Sequence, residues 1–115
     1  MTAASIDATL AALADPTRRN VVDLLRQRPH RAGELANAFD MSAPAMSRHL
    51  RVLRRSGLVT EDHIENDARV RIYRLQPEPF RDLQAWLTRV EAHWRDQLAA
   101  FKQHAERRRR RGRRS

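Results

Sequence analysis

The stretch that decides the fold is Met41-Ser-Ala-Pro-Ala-Met-Ser-Arg-His-Leu-Arg-Val-Leu-Arg-Arg-Ser-Gly-Leu-Val59. Ser42 is a favoured N-cap residue, and Pro44 fits the first turn of a helix. Gly57 is a favoured residue just past a helix C-terminus. The apolar side chains between them recur at helical spacing and form one stripe: Met46, Leu50 and Leu53. The stretch therefore predicts a complete helix that buries one face.

The opposite face of this helix combines small side chains with arginines and carries no acid. Its residues are Ala43, Pro44, Ser47, Arg48, Arg51 and Arg54. Small side chains at the N-terminal end allow a helix to enter a major groove that is about 12 Å wide. Ser47 and Arg48 then reach base edges, since arginine pairs with guanine through two hydrogen bonds. The arginines further along suit flanking phosphates: Arg51, Arg54 and Arg55. The face favours binding to double-stranded DNA.

Three helices are predicted before this one. Asp15 and Pro16 separate the first helix from the second, as an N-cap and a first-turn residue. The third helix ends at Asp40, which can adopt the left-handed conformation of a tight turn. The third and fourth helices with this short turn predict a helix-turn-helix.

A β-hairpin is predicted after the fourth helix, with strands over 58–64 and 68–75 joined by residues 65–67. The alternation of the second strand is imperfect, which indicates a bulge or a change of burial along it. Arg69 and Arg71 alternate out of this strand, where they suit a minor-groove or backbone contact. The predicted fold class is mainly α with a small β-hairpin, a winged helix-turn-helix.

A long last helix follows Pro77, and its apolar positions recur every three or four residues as far as Phe101. They include Leu83, Leu87, Val90, Trp94, Leu98 and Phe101. The preceding elements are too few to cover a stripe of this length. A second copy of the chain is the simplest partner, so a homodimer is expected.

The net charge of +9 is distributed unevenly along the 115 residues. Residues 107–115 hold seven arginines and no acid, whereas residues 1–106 hold 16 basic and 14 acidic residues. The sequence therefore predicts one domain over 1–106 and a disordered arginine-rich tail over 107–115. No apolar run is long enough for a membrane span, and the N-terminus lacks the pattern of a secretory signal. The expected location is the cytoplasm.

No pattern of catalytic or metal-binding residues emerges. The chain has no cysteine and three glycines, and no grouping suggests a nucleophile with its base or a phosphate-binding loop. His93 and His104 lie about 16 Å apart along one helix, too far to bind one metal ion within a single chain. His49 lies within the DNA-facing helix, where packing or a phosphate contact is expected. No enzyme activity, metal or cofactor is predicted.

Several segments resemble the arsenic-repressor-like (ArsR/SmtB) family of winged-helix regulators. They are Ala11-Ala-Leu-Ala-Asp-Pro-Thr-Arg-Arg19, Gly33-Glu-Leu-Ala36, Met41 to Val59 and Arg71-Ile-Tyr-Arg-Leu75. The resemblance covers roughly residues 5–100, and residues 42–48 match the base-reading segment of the family. It implies a repressor that is relieved by an inducer.

The resemblance also implies a dimer joined through long first and last helices. The first helix would then add Ile6, Leu10 and Leu13 to the interface. Known family members bind metals through a cysteine pair in the third helix or through Asp and His at the start of the last helix. This chain has Glu34-Leu-Ala-Asn37 at the first place and Pro77 and Pro79 at the second. It therefore resembles the metal-independent branch, and the inducer stays open.

An alternative is a general nucleic-acid-packaging or RNA-binding protein that uses the arginine tail. A packaging protein needs no reading face of small side chains, and an RNA binder would expose aromatic side chains for base stacking. The aromatic residues of this chain fall on predicted core or dimer stripes. These features favour a sequence-specific DNA-binding repressor.

Overall fold

The computed structural model describes residues 3–64 and 67–114. Its elements are α1 (Ala3–Leu13), α2 (Pro16–Gln27), β1 (His30–Arg31), α3 (Ala32–Ala38), α4 (Ala43–Arg55), β2 (Val59–Ile64), β3 (Asp67–Leu75) and α5 (Pro77–Arg114). The mainly helical fold class, with a small antiparallel sheet, is confirmed. The chain divides into two compact units, residues 1–83 and 84–115, whereas the sequence predicts one domain over 1–106.

The core of the first unit is built from the apolar stripes of its helices and from the sheet. Its most deeply buried large side chains are Val21, Leu35, Met46, Leu50, Leu53, Leu58 and Val59. The predicted inward stripe of α4 therefore lies at the centre of this core. Tyr73 of β3 is also buried, and it joins the sheet to the helices.

The residues predicted to begin and end the helices are confirmed at Asp15 and Asp40. Asp15 adopts an extended conformation, and its carboxylate accepts a hydrogen bond from the backbone N–H of Arg18 at 3.0 Å. Asp40 has a φ of 49°, as the tight turn between α3 and α4 requires. The turn closes with a hydrogen bond of 2.9 Å from the backbone N–H of Met41 to the carbonyl of Ala36. The turn between α3 and α4 is thus stabilised by local backbone conformation and hydrogen bonding.

The sheet has three strands in the order β1-β3-β2, so the prediction of a two-stranded hairpin was incomplete. β1 pairs with β3 through His30 opposite Tyr73 and Arg31 opposite Ile72. A strand of two residues is too short to show a period of two in the sequence, so only its long-range pairing reveals it. The pairing of β2 with β3 shifts register between His63 and Ile64, which accounts for an irregular wing. The connection predicted at residues 65–67 lies largely outside the described residues.

The second unit consists of the larger part of α5. Trp86 is half-buried, and the described side chains of residues 87–112 are exposed. In the structure α5 continues to Arg114; the disordered tail over 107–115 stays a prediction. Arginine is a good helix former, and cationic side chains near a helix C-terminus interact favourably with the helix dipole. No helix in the described ranges combines the length and the apolar character needed to cross a membrane.

Candidate nucleic-acid interface

Both ends of α4 are fixed by hydrogen bonds. The Ser42 hydroxyl accepts a hydrogen bond of 3.2 Å from the backbone N–H of Ala45, as the sequence predicted for an N-cap. At the other end the backbone N–H of Leu58 donates to the carbonyl of Leu53 at 3.0 Å. Gly57 follows the helix with a φ of 81°, a left-handed conformation that favours glycine. The buried stripe of Met46, Leu50 and Leu53 then determines which side chains of α4 face outward.

The outward face of α4 is the one predicted to bind DNA. Its exposed residues are Ser42, Ala43, Pro44, Ser47, Arg48, Arg51, Arg54 and Arg55. The small side chains lie at the N-terminal end, and the arginines follow them. We call this surface the reading face. It carries no acidic residue, so its charge favours a polyanion.

His49 of α4 contacts residues at the connection between α1 and α2. Its Nδ1 lies 3.5 Å from the Arg18 guanidinium and 3.8 Å from the Asp15 carboxylate. Arg18 also donates from Nε to the carbonyl of Ala12 at 2.6 Å. The backbone hydrogen bond from Arg18 holds the pKa of Asp15 below its usual value, with a smaller contribution from His49. His49 thus packs within the fold, which is one of the two roles that its position in the sequence suggested.

A second cluster joins α4 to the hairpin through Glu61 of β2. The Glu61 side chain is only 9% exposed, and it forms ion pairs with Arg54 of α4 and with Arg71 of β3. The Arg71 pair has an Nε to Oε1 distance of 3.3 Å. The Tyr73 hydroxyl donates to Oε2 of the same carboxylate at 3.2 Å. Burial, followed by the nearby Glu61 charge, raises the pKa of Tyr73 above its ordinary value.

The Glu61 cluster changes the interpretation of two predicted DNA contacts. The sequence suggested that Arg54 binds phosphate and that Arg71 points outward from the wing. In the structure both guanidinium groups pair with one carboxylate. Arg69, two residues earlier on β3, is exposed. Glu61 was visible in the sequence only as the first acid after a basic stretch. Its partners depend on how β2 packs against α4, which sequence spacing does not reveal.

The proposed interface residues of α5 remain exposed within one chain. The exposed fractions are 51% for Leu87, 37% for Val90, 60% for Trp94, 58% for Leu98 and 72% for Phe101. In the first unit, Leu10 is 42% exposed, whereas three others are half-buried: Ile6, Leu13 and Leu83. Leu13 packs against the core, so burial already accounts for part of its apolar surface.

The family model "Bacterial regulatory protein, arsR family" matches residues 15–61, from the N-cap of α2 to Glu61. The chain is also 36% identical over 99 residues to the HTH-type transcriptional regulator Rv2034 of Mycobacterium tuberculosis. That match covers 86% of this chain and 87% of the relative. The chain belongs to the ArsR family. It is a transcriptional regulator, as the resemblance in its sequence implied.

Two further comparisons support the ArsR-family assignment. The transcriptional repressor SdpR of Bacillus subtilis is 38% identical over 50 residues, which cover 44% of this chain and 56% of the relative. An ArsR-like transcriptional regulator from Rhodococcus sp. RHA1 superposes with a TM-score of 0.74 at 31% identity. The superposition covers 87% of this chain and 92% of that structure.

At the positions where known ArsR-family members bind metals, this chain has other residues, and the structure shows what they contact. The Glu34 carboxylate accepts hydrogen bonds from the Arg28 guanidinium at 3.0 Å and from the backbone N–H of Arg31 at 3.2 Å. Pro77 and Pro79 occupy the first turn of α5. Within residues 3–64 and 67–114, no three His, Asp or Glu side chains are grouped closely enough to hold a metal ion.

Proposed function

We propose that this ArsR-family chain is a repressor that binds a palindromic operator in double-stranded DNA as a homodimer. The observation that carries the proposal is the reading face of α4. A capped helix presents small side chains first and arginines afterwards, and it belongs to a helix-turn-helix next to a wing. This is the geometry in which a recognition helix enters a major groove.

The reading face supports a division of roles among its side chains. Ser47 and Arg48 lie near the N-terminal end of α4, where a recognition helix contacts base edges. Arg51 and Arg55 lie further along, where phosphates flank the groove. Arg69 extends from the wing, so a minor-groove or backbone contact is its proposed role.

The exposed stripe of α5 supports the homodimer. Five large apolar side chains on one helix face are costly to leave in water: Leu87, Val90, Trp94, Leu98 and Phe101. A second copy of the same stripe would cover them in a symmetric interface. A twofold dimer presents two reading faces, which is why we expect two half-sites in inverted orientation.

We further propose that the inducer is not a metal ion and that the protein acts in the cytoplasm, where the chromosome lies. The chain has no thiolate for soft ions, and Glu34 is engaged by Arg28 and by the backbone of Arg31. The inducer would then be an organic molecule or a protein. Release of the operator by zinc, nickel or cobalt would contradict this proposal.

A packaging protein that binds any nucleic acid is the second candidate, and the seven arginines after residue 106 favour it. Selection of bound fragments from genomic DNA distinguishes the two. The repressor should enrich a small set of fragments that share an inverted repeat, with half-sites about one helical turn apart. Recovery of fragments without any shared sequence would contradict the repressor and support packaging.

A further inference from the structure

Glu61 occupies an unusual position for an acidic residue in a surface that is expected to bind DNA. Its carboxylate is 9% exposed and binds Arg54, Arg71 and the Tyr73 hydroxyl at once. His63 Nε2 lies 3.7 Å from the same carboxylate. Two arginines that the sequence assigns to DNA are therefore already paired with a negative charge.

The cluster shares Arg54 with the reading face. A cleft of about 130 Å³ is lined by Ser47, Leu50, Arg51, Arg54, Glu61, Arg71 and Tyr73. Ser47, Arg51 and Arg54 belong to the reading face. DNA docked on α4 would thus approach the Arg54 and Arg71 side chains, each about half exposed. A phosphate that approached this cluster would compete with Glu61 for the same two guanidinium groups.

We propose that Glu61 is a specificity-determining residue, because it withholds Arg54 and Arg71 from phosphates of arbitrary sequence. The inference rests on the proposed function and deepens it. Non-specific binding depends almost entirely on phosphate contacts, whereas specific binding adds contacts to base edges. A carboxylate that pairs with two arginines and offsets one of their charges therefore weakens binding to any duplex, while Ser47 and Arg48 remain available to read the operator. The ratio of operator to non-operator affinity rises.

The size of the effect follows from counterion release. Each phosphate neutralised by a cation steepens the dependence of log K on log salt by about 0.9. One carboxylate offsets one of the two positive charges, so Glu61→Gln steepens this slope by up to about 0.9, and affinity for a scrambled duplex at 0.1 M salt rises roughly three- to tenfold. Glutamine retains the shape of the side chain and can still accept a hydrogen bond from Tyr73.

The test measures dissociation constants for the operator and for a scrambled duplex over a range of salt concentrations. Asp62→Asn is the matched control, because it changes the net charge equally at the neighbouring residue. Asp62 points to the other face of β2 and pairs with Arg74 at 2.9 Å, both side chains being more than half exposed. Exposed pairs contribute little, so this variant should change affinity for the scrambled duplex by about twofold or less.

Two outcomes would overturn the proposal. One is an unchanged affinity and salt slope for Glu61→Gln on the scrambled duplex. The other is an equal rise for Glu61→Gln and Asp62→Asn, which would be an effect of total charge. A wild-type protein without operator preference would instead contradict the proposed function itself.

A second pair of variants keeps the test valid if Glu61→Gln folds poorly, as judged by circular dichroism. Arg51→Ala should reduce the salt slope on the scrambled duplex by about 0.9. Arg54→Ala should reduce it by much less, because Glu61 holds the Arg54 guanidinium away from phosphates. Equal reductions for the two variants would also overturn the proposal.

Discussion

Trp94→Glu should convert the homodimer into folded monomers. Trp94 is 60% exposed in the single chain, so its replacement removes little from the fold of one protomer. A buried aromatic side chain removes about 150–250 Å² from water. About 90–150 Å² of Trp94 is therefore left for a partner, worth roughly 2–4 kcal/mol at ~25 cal/mol/Å².

The effect counts twice in a symmetric interface, because each protomer contributes one Trp94. The dimer should lose roughly 4–8 kcal/mol, and a buried glutamate without a partner adds a further cost. The dimer dissociation constant should consequently rise by at least about a thousandfold. Sedimentation equilibrium at micromolar concentration measures this change, and circular dichroism checks that the helices are retained.

Gln103→Glu is the matched control for this variant. Gln103 is exposed on the same helix, nine residues along, which places it on the opposite face at about 100° per residue. It introduces the same charge and should leave the dimer intact. A wild-type monomer at micromolar concentration, or a Trp94→Glu protein that stays dimeric, would refute the assignment of this stripe.

Three further predictions concern the DNA-binding arginines, the C-terminal arginines and the N-cap of α2. Arg48→Ala should cost about 1–3 kcal/mol of binding free energy on the operator and relax the base preference at one base pair of each half-site. Arg55→Ala should weaken binding to all duplexes similarly. Identical effects of the two variants across a panel of operator variants would contradict this division of roles. Truncation after Glu106 removes seven arginines, so it should lower affinity for any duplex and flatten the salt dependence of binding. The preference for the operator should be preserved. Loss of that preference would mean that these arginines read the DNA sequence. Asp15→Ala should lower the melting temperature at pH 7, because its carboxylate caps α2 and its pKa is lowered in the folded state. A lowered folded pKa stabilises the fold above the ordinary pKa of aspartate, about 3.9, and the stabilisation is lost as the pH falls through the folded value. The difference in melting temperature between wild type and Asp15→Ala should therefore shrink below about pH 4. A difference that stays constant with pH would show that the Asp15 carboxylate is not its cause.

Local signals in the sequence were sufficient to predict α4. Ser42, Gly57 and the apolar stripe between them act over a few residues, so propensity and spacing determine the helix, its ends and its outward face. The turn at Asp40 is equally local, because one residue with a left-handed conformation sets it. These features carried both the fold class and the family resemblance.

The features that the sequence did not reveal depend on contacts between distant residues. β1 exists because His30 and Arg31 pair with β3 about forty positions later, and two residues carry no periodic signal. The pairing of Glu61 with Arg54 and Arg71 requires the packed positions of α4, β2 and β3. The end of α5 is a different case, because self-repulsion of the arginines predicted disorder whereas their helix propensity agrees with the structure.

The most direct test of sequence-specific repression compares two dissociation constants of the wild-type protein at one physiological salt concentration. One is measured with a genomic fragment that contains the selected inverted repeat, and the other with the same fragment after its half-sites are scrambled. The account predicts an operator affinity at least about a thousandfold higher, as for specific DNA-binding proteins. A ratio near one would contradict it and would show a protein that binds DNA through its charge alone.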